Sequence, residues 1–225
     1  TVEEYIFPKL TSYDALLLLK GMGMTITVTL LAIAIGLAIG FFIGLLRSLK
    51  IPVMSKLLLV YIEPIRNSPL VAQLFFAYYG IAMVTDFSLS AFQAAVWTLG
   101  INTSAFAAVI VDASIRSVEK GQWEAAYSLG MNYWKTFRLV IVPQAIRVFI
   151  PSFAGLCVNQ LQVSSLVSLI GFVDLTRVGY MLTLRTYRPF LIWSIVAVLY
   201  FALSFPISKF ARYAESRVKS YGKIG

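Results

Sequence analysis

The sequence contains no histidine, and its single cysteine, Cys157, lies in an apolar stretch. Histidine is the side chain whose unperturbed pKa suits proton transfer near neutral pH, so histidine-based catalysis and a Ser-His nucleophile are excluded. A zinc site within the membrane lacks its usual ligands, and one cysteine cannot form a disulfide within the chain. We therefore predict no catalytic residue, no metal site and no cofactor bound by this chain.

Charged residues are also scarce, at 13% of the 225 residues, whereas apolar residues make up 59%. Soluble domains usually contain about 25% charged and about 45–50% apolar residues. The mean hydropathy is +0.82, and a membrane-spanning helix needs about 20 mostly apolar residues. The composition therefore predicts an all-α membrane protein.

Windows without charged residues predict five transmembrane helices. The second span, residues 57–85, is expected to be interrupted, because it contains Pro64 and Pro69, and proline lacks the backbone N–H that a helix uses. We expect residues 1–21 to be an external N-terminal segment, and residues 22–212 to form the transmembrane domain. A basic cytoplasmic tail, residues 213–225, follows it. The other four spans are predicted at residues 22–46, 87–111, 148–173 and 189–208.

The 19 Lys and Arg residues are distributed unevenly over the loops. Most lie after the first span, between residues 116 and 138, and in the tail. Because cytoplasmic loops carry the excess of Lys and Arg, the N-terminus is predicted outside and the C-terminus in the cytoplasm. The same rule explains the net charge of +9, so nucleic acid is not an expected partner.

The chain has no convincing internal repeat. Secondary transporters of the inverted-repeat kind contain two related halves, and five spans are too few to enclose a gated path. We therefore expect a two-fold or pseudo-two-fold dimer.

Residues 121–130 form the most distinctive cytoplasmic stretch. Its first half predicts a short helix, Gly130 suits the left-handed residue that follows a helix, and Asn132 is placed to cap a second short helix through Phe137. The aromatic Trp123 and Tyr127 then belong to a compact projection. Such a projection either binds a groove on another protein or lies on the lipid surface, where Trp and Tyr are also enriched.

Glu124-Ala125-Ala126, Gly130 and the stretch Val140–Pro143 resemble the E-A-A…G…I-x-L-P signature of the transmembrane subunits of ATP-binding-cassette (ABC) importers. Val140 and Val142 depart conservatively from that signature. Over residues 20–212 the sequence is similar to the polar amino acid permease family, whose histidine, glutamine, arginine and cystine systems share further motifs. In this chain those motifs are RNSPLVAQLFF at 66–76, KGQWEAA at 120–126, LGM at 129–131, PQA at 143–145 and SLVS at 165–168.

The resemblance implies the type I ABC importer permease fold and a place in the bacterial inner membrane. Such a permease pairs with a second permease subunit, receives its amino acid from an external solute-binding protein and contacts an ABC ATPase dimer. ATP and Mg are then bound by the ATPase subunits, consistent with the absence of a Gly-rich phosphate loop here. The residues implied in ATPase coupling are Gly121, Gln122, Trp123, Glu124, Ala125, Ala126, Tyr127, Leu129 and Gly130.

Glu63, Pro64, Arg66 and Pro69 are predicted to form a gate or a kink. Charges at membrane depth cost about 2.5–3.5 kcal/mol each on insertion scales, and Glu63 and Arg66 are spaced to pair on one helix face. The segment is either a gate at the dimer axis or a structural ion pair that holds a kink near the cytoplasmic boundary.

Uncharged polar side chains at membrane depth are candidates for the translocation path. They either bind the ammonium and carboxylate of an amino acid or link helices through hydrogen bonds worth about 0.6–2 kcal/mol. The candidates are Asn67, Ser68, Gln73, Asn102, Thr103, Asn159, Gln160, Gln162, Ser164 and Ser165.

Four positions that are usually charged in the family are Val109, Asp112, Gln162 and Val163 in this chain. If those charges bind the substrate in relatives, this subunit binds it more weakly. We therefore favour a heterodimer whose other permease supplies the ionic contacts.

Arg177, Arg185 and Arg188 follow the fourth span on the predicted outer side. They either dock the solute-binding protein, since complementary charge guides encounter, or belong to a solvated loop. The competing functions are an ATP-independent channel or facilitator made of several copies, and an intramembrane enzyme, which the missing histidines oppose.

Overall fold

The computed structural model describes residues 10–49 and 51–221, with side chains described up to residue 217. All regular secondary structure in these residues is helical, which confirms the predicted all-α class. Residues 1–9 of the predicted external segment and residues 222–225 of the predicted tail lie outside the described part of the chain.

Four helices are long and apolar enough to cross a membrane: α1 (Ser12–Ser48), α4 (Ala91–Arg116), α6 (Tyr133–Ile170) and α8 (Pro189–Tyr221). The remaining predicted span is divided between α2 (Pro52–Arg66) and the shorter apolar helix α3 (Leu70–Val84). At 1.5 Å per residue, α3 is only about 22 Å long, which is too short to cross a hydrocarbon core of about 30 Å alone. The interrupted second span is thus confirmed.

The interruption lies at Asn67–Pro69, whereas Pro64 stays inside α2. The backbone N–H of Asn67 donates to the Glu63 carbonyl oxygen at 3.0 Å, which closes the last turn of α2. Pro69 then adopts an extended conformation and precedes α3. The prediction that both prolines break the helix is therefore wrong for Pro64.

Two of the helices begin well before the spans that the sequence predicted for them. Helix α1 starts at Ser12 rather than at residue 22, so part of the predicted external segment is helical, and α6 starts at Tyr133 rather than at residue 148. The charge-free windows mark only the apolar part of each helix. Charged and aromatic residues continue the same backbone hydrogen bonding on either side of it.

The projection at residues 120–137 has the predicted local structure. Helix α5 (Lys120–Ser128) is followed by Gly130, whose φ is +75°. The Asn132 side chain caps α6 by accepting a hydrogen bond from the Lys135 backbone N–H at 3.0 Å. The second helix does not end at Phe137, because a π-helical turn, Phe137–Ile141, continues it into the membrane-spanning part of α6. Helix α7 (Leu175–Thr186) separates α6 from α8.

The helices divide into two compact units, and the four long helices contribute residues to both. In the first unit a core of leucine, isoleucine and valine side chains joins α1, α7 and α8. In the second unit Val118, Ile141 and Ala145 form a smaller core beside α5. The first unit contains residues 10–34, Ser68–Gly100 and Asn159–Pro206; the second contains Ile35–Asn67, Ile101–Val158 and 207–221.

Candidate functional site

The projection around α5 is held by stacked aromatic rings. Trp123 stacks on Tyr133 at a centroid distance of 5.7 Å, and Tyr133 stacks on Phe137 at 6.0 Å. Ala126 of the same helix is buried. Trp123 therefore packs α5 against α6, and it is only half-buried.

The outer surface of this projection is apolar in places. Leu129 is 82% exposed and Trp134 is 72% exposed, and Tyr127 lies on the exposed surface as well. Glu124 pairs with Lys120 at 3.1 Å in solvent. Gly121, Gln122 and Ala125 are also exposed. Leu129 and Trp134 thus present two large side chains on either side of the turn at Gly130.

An ion cluster in the same unit connects α1 to α4. The buried Asp112 lies 3.3 Å from the Arg47 Nε and accepts a hydrogen bond of 2.6 Å from the Arg116 Nε. Arg116 also donates to the Arg47 carbonyl oxygen at 3.2 Å. The charge of Asp112 is therefore used within the chain. We call these three residues the Asp112 cluster.

The predicted gate residues do not form the ion pair that their spacing allowed. Glu63 accepts a hydrogen bond of 2.7 Å from the Asn67 side chain, and both residues are exposed. The Arg66 guanidinium lies over the Phe106 ring, 5.2 Å from its centroid. Each charge thus has its own partner, and the interpretation as a Glu63–Arg66 pair is wrong.

Two of the predicted path residues of α6 line one cavity of about 380 Å³. Gln162 and Ser165 lie there with Tyr200 and Ser204 of α8. All four side chains are polar and carry no carboxylate or ammonium group. The cavity therefore offers hydrogen bonds but no formal charge to a solute.

The other predicted path residues lie elsewhere. Gln160 and Ser164 are buried, and the Ser164 hydroxyl donates to the Leu161 carbonyl oxygen at 2.8 Å. Ser68 accepts a hydrogen bond of 2.9 Å from the Gln73 side chain. Four residues remain: Asn102 and Thr103, which are buried, Asn159, which is exposed, and Asn67, which is exposed and bonded to Glu63.

Two of the three predicted docking arginines, Arg177 and Arg185, contact residues of their own unit. Arg185 forms an ion pair with the buried Asp14 of α1. The Arg177 guanidinium lies over the Tyr180 ring at 5.5 Å, and the Arg177 backbone N–H donates to Asp174 at 2.8 Å. Arg188 is half-buried.

Asp174 is a buried acid in the short segment between α6 and α7. Burial raises the pKa of Asp174 to about 6, although hydrogen bonds from the backbone N–H of Arg177 and from Tyr200 act in the opposite direction. Tyr200, whose hydroxyl donates to Asp174 at 3.3 Å, also lines the cavity with Gln162. Asp174 thus lies beneath one wall of that cavity.

Sequence reasoning did not identify Asp14, Asp174 or Tyr200, and it assigned Asp112 to a lost substrate contact. One signal was available for Asp112, because Asp112 and Arg116 are four residues apart on a helix and can pair. No spacing rule connects Asp14 to Arg185 or Asp174 to Tyr200, which are distant in sequence and meet only in the folded chain.

The geometry defines a multi-pass helical membrane protein with a capped helical projection between α4 and α6 and a polar cavity between α6 and α8. The family of binding-protein-dependent transport system inner membrane components matches residues 36–220. The chain belongs to this family. It is therefore an inner-membrane permease component, as the resemblance implied.

Relatives and a solved structure cover nearly the whole chain. The glutamine transport system permease protein GlnP of Escherichia coli (strain K12) is 36% identical over 90% of this chain and 93% of that protein. The L-cystine transport system permease protein TcyL of Bacillus subtilis (strain 168) is 33% identical over 82% of this chain and 80% of that protein. A crystal structure of an amino acid ABC transporter with histidines is 39% identical, with a TM-score of 0.84, over 90% of this chain and 94% of the other.

Proposed function

We propose that this chain is the membrane subunit of an ATP-driven importer of polar amino acids. Glutamine, cystine and histidine are named for the relatives and for the solved structure. The observation that carries the proposal is the projection at α5: a short helix ended by a left-handed Gly130, capped at Asn132 and exposing Leu129 and Trp134.

The projection docks into a groove of an ATPase subunit, which binds ATP and Mg in place of this chain. Leu129, Trp134 and Tyr127 supply apolar surface for that contact, and the aromatic stack at Trp123 transmits movement from α5 to α6. Nucleotide-driven closure of the ATPase then favours one of two helix arrangements of the permease. This assignment requires α5 and the C-terminus in the cytoplasm and the N-terminus outside, as the basic residues predict.

The cavity at Gln162 and Ser165 contacts the amino acid during its passage. Its amide and hydroxyl groups suit hydrogen bonding to a polar solute. Because its lining carries no formal charge, ionic contacts with the amino acid come from a different permease subunit in a heterodimer. The segment Glu63–Pro69 belongs to the gate, and the arginines at 177, 185 and 188 face the solute-binding protein that delivers the amino acid.

Reconstitution tests this function. The purified complex, in proteoliposomes with its ATPase and binding protein, is screened with amino acids one at a time while ATP hydrolysis is measured. We expect hydrolysis to rise with one or a few polar amino acids, and only when the binding protein is present. Uptake that proceeds without ATP would instead support the channel or facilitator.

The coupling step has its own test in Gly130→Pro. Proline cannot adopt the positive φ of this position and lacks the N–H that donates to the Tyr127 carbonyl oxygen at 2.9 Å. We expect the variant to insert normally, as measured by its amount in the membrane fraction, and to lose uptake. Gly130→Asn is the matched control and should retain most uptake, because asparagine tolerates the left-handed conformation.

A further inference from the structure

Lys20 lies on the first helix next to a cavity that the transport function does not use. The cavity, of about 430 Å³, is bordered by Leu17, Lys20 and Met24 of α1, and by the segment Gly171–Val173. Its volume falls within the range of ligand sites, about 300–1,000 Å³. Lys20 is the one titratable side chain among the residues that line it.

The charge of Lys20 has no counterpart in the described part of the chain. No carboxylate of residues 10–49 or 51–217 pairs with it, whereas Arg185 is paired with Asp14. A cation beside apolar surface is stabilised when an anion of amphipathic shape occupies the site. The cavity therefore fits a ligand that has one acidic group and an apolar chain.

The position of Lys20 along α1 identifies the source of such a ligand. Lys20 is the last charged residue before an uncharged stretch that continues to Leu46. This places its ammonium where the hydrocarbon core meets the headgroups. Leu17 lies one turn before Lys20 and Met24 about one turn after it, on the same helix face, so apolar lining continues from the ammonium toward the core.

We infer that this cavity binds an anionic phospholipid, with the phosphate against Lys20 and an acyl chain along Met24 and Val173. Two opposite unit charges about 4 Å apart in water attract each other by about 1 kcal/mol, which corresponds to about fivefold in affinity. The inference does not depend on which solute is transported.

Native mass spectrometry of the purified transporter complex tests the site. The delipidated complex is titrated with phosphatidylglycerol and with phosphatidylcholine of the same acyl chains. We expect about a fivefold preference for phosphatidylglycerol, which Lys20→Gln removes and Lys20→Arg keeps. Lys56→Gln, an exposed lysine on α2, is the matched control and should keep the preference.

A second variant separates the acyl-chain contact from the charge. Val173→Phe fills the cavity from an exposed position, so it should weaken binding of both phospholipids while leaving the lysine in place. Two results would overturn the inference: an unchanged preference for phosphatidylglycerol in Lys20→Gln, or lipid affinity that is unchanged in Val173→Phe. If inorganic phosphate displaced the lipid, the cavity would be a general anion site. If a free amino acid displaced it, the cavity would belong to the solute path. Each of these two results would also contradict a phospholipid site.

Discussion

Asp112 is a buried carboxylate that pairs with arginines of this chain, although its position in the sequence suggested a lost substrate contact. It lies between Arg47 of α1 and Arg116 of α4, with 8% of its side chain exposed. Breaking a buried pair leaves the remaining charges without compensation, whereas exposed pairs contribute little. The Asp112 cluster is therefore expected to stabilise the contact between α1 and α4.

Replacing Asp112 by asparagine tests this role. We expect Asp112→Asn to destabilise the protein by about 1–3 kcal/mol, because hydrogen bonds to charged groups contribute on that scale. The measurement is thermal unfolding of the purified complex in detergent. Glu124→Gln is the matched control, since its pair with Lys120 is exposed and should change stability by less than about 1 kcal/mol. Equal effects of the two substitutions would show that the Asp112 cluster contributes no more than a surface pair.

Asp174 makes stability depend on pH. Its pKa is about 6 in the folded chain, against an ordinary value of 3.8, so between these values the folded state binds more protons than the unfolded state. Stability from this residue is therefore complete below about pH 4 and is lost as the pH rises through about 6. The difference corresponds to roughly 3 kcal/mol.

We expect the unfolding midpoint of the wild type, relative to Asp174→Asn, to fall as the pH rises from about 4 to about 7. Asparagine does not titrate, so only the wild type carries this contribution. Thermal unfolding of both proteins across that pH range measures the difference, with the exposed Asp86→Asn as a control for the loss of a surface carboxylate. A constant difference between wild type and Asp174→Asn would contradict the raised pKa.

At the scale of elements, α1 and α4 approach closely through two glycines. A Cβ placed on Gly44 would lie 2.5 Å from the Ala108 carbonyl oxygen, and one on Gly40 would lie 2.5 Å from the Ser104 carbonyl oxygen. Both distances are shorter than atoms tolerate, so only glycine permits this packing. Gly40 and Gly44 therefore allow the backbones of α1 and α4 to come into close contact.

Gly44→Ala is expected to destabilise the protein by about 1–3 kcal/mol, because α1 must move away from α4 to admit the methyl group. Gly23→Ala is the control on the same helix: a Cβ there meets no atom within 4 Å, and alanine favours the helix over glycine by up to about 1 kcal/mol. Thermal unfolding of the two variants side by side distinguishes them. If Gly23→Ala were as destabilising as Gly44→Ala, close packing would not explain the effect.

At the scale of the whole molecule, the uncharged cavity favours a transporter with two different permease subunits. Gln162 lines the cavity, and Asp112, another of the positions that are charged in the family, is engaged with Arg47 and Arg116. Neither position then offers a free charge to an amino acid. We therefore expect the purified transporter to contain one copy of this chain and one copy of a different permease.

Intact-mass measurement of the complex, purified through a tag on this chain, counts the permease subunits. Co-expression of tagged and untagged copies provides the control, because a homodimer would retain the untagged copy. Two copies of this chain without a second permease would contradict the heterodimer, while leaving the importer function in place.

The sequence by itself determined the class of the protein and much of its local structure. Apolar runs predicted the spans because burial of each helix in lipid depends on composition alone. The helix at Lys120–Ser128, the left-handed Gly130 and the cap at Asn132 were predictable because they depend on residues within a few positions of one another.

Only the tertiary structure decided which polar groups meet. Asp14 with Arg185, Asp174 with Tyr200, and Asp112 with Arg47 are far apart in the chain, and helix packing selects each pair. The same holds for the cavities at Lys20 and at Gln162, whose walls come from distant segments. Local sequence patterns carry no information about such contacts, because each pair joins two distant segments that only helix packing brings together.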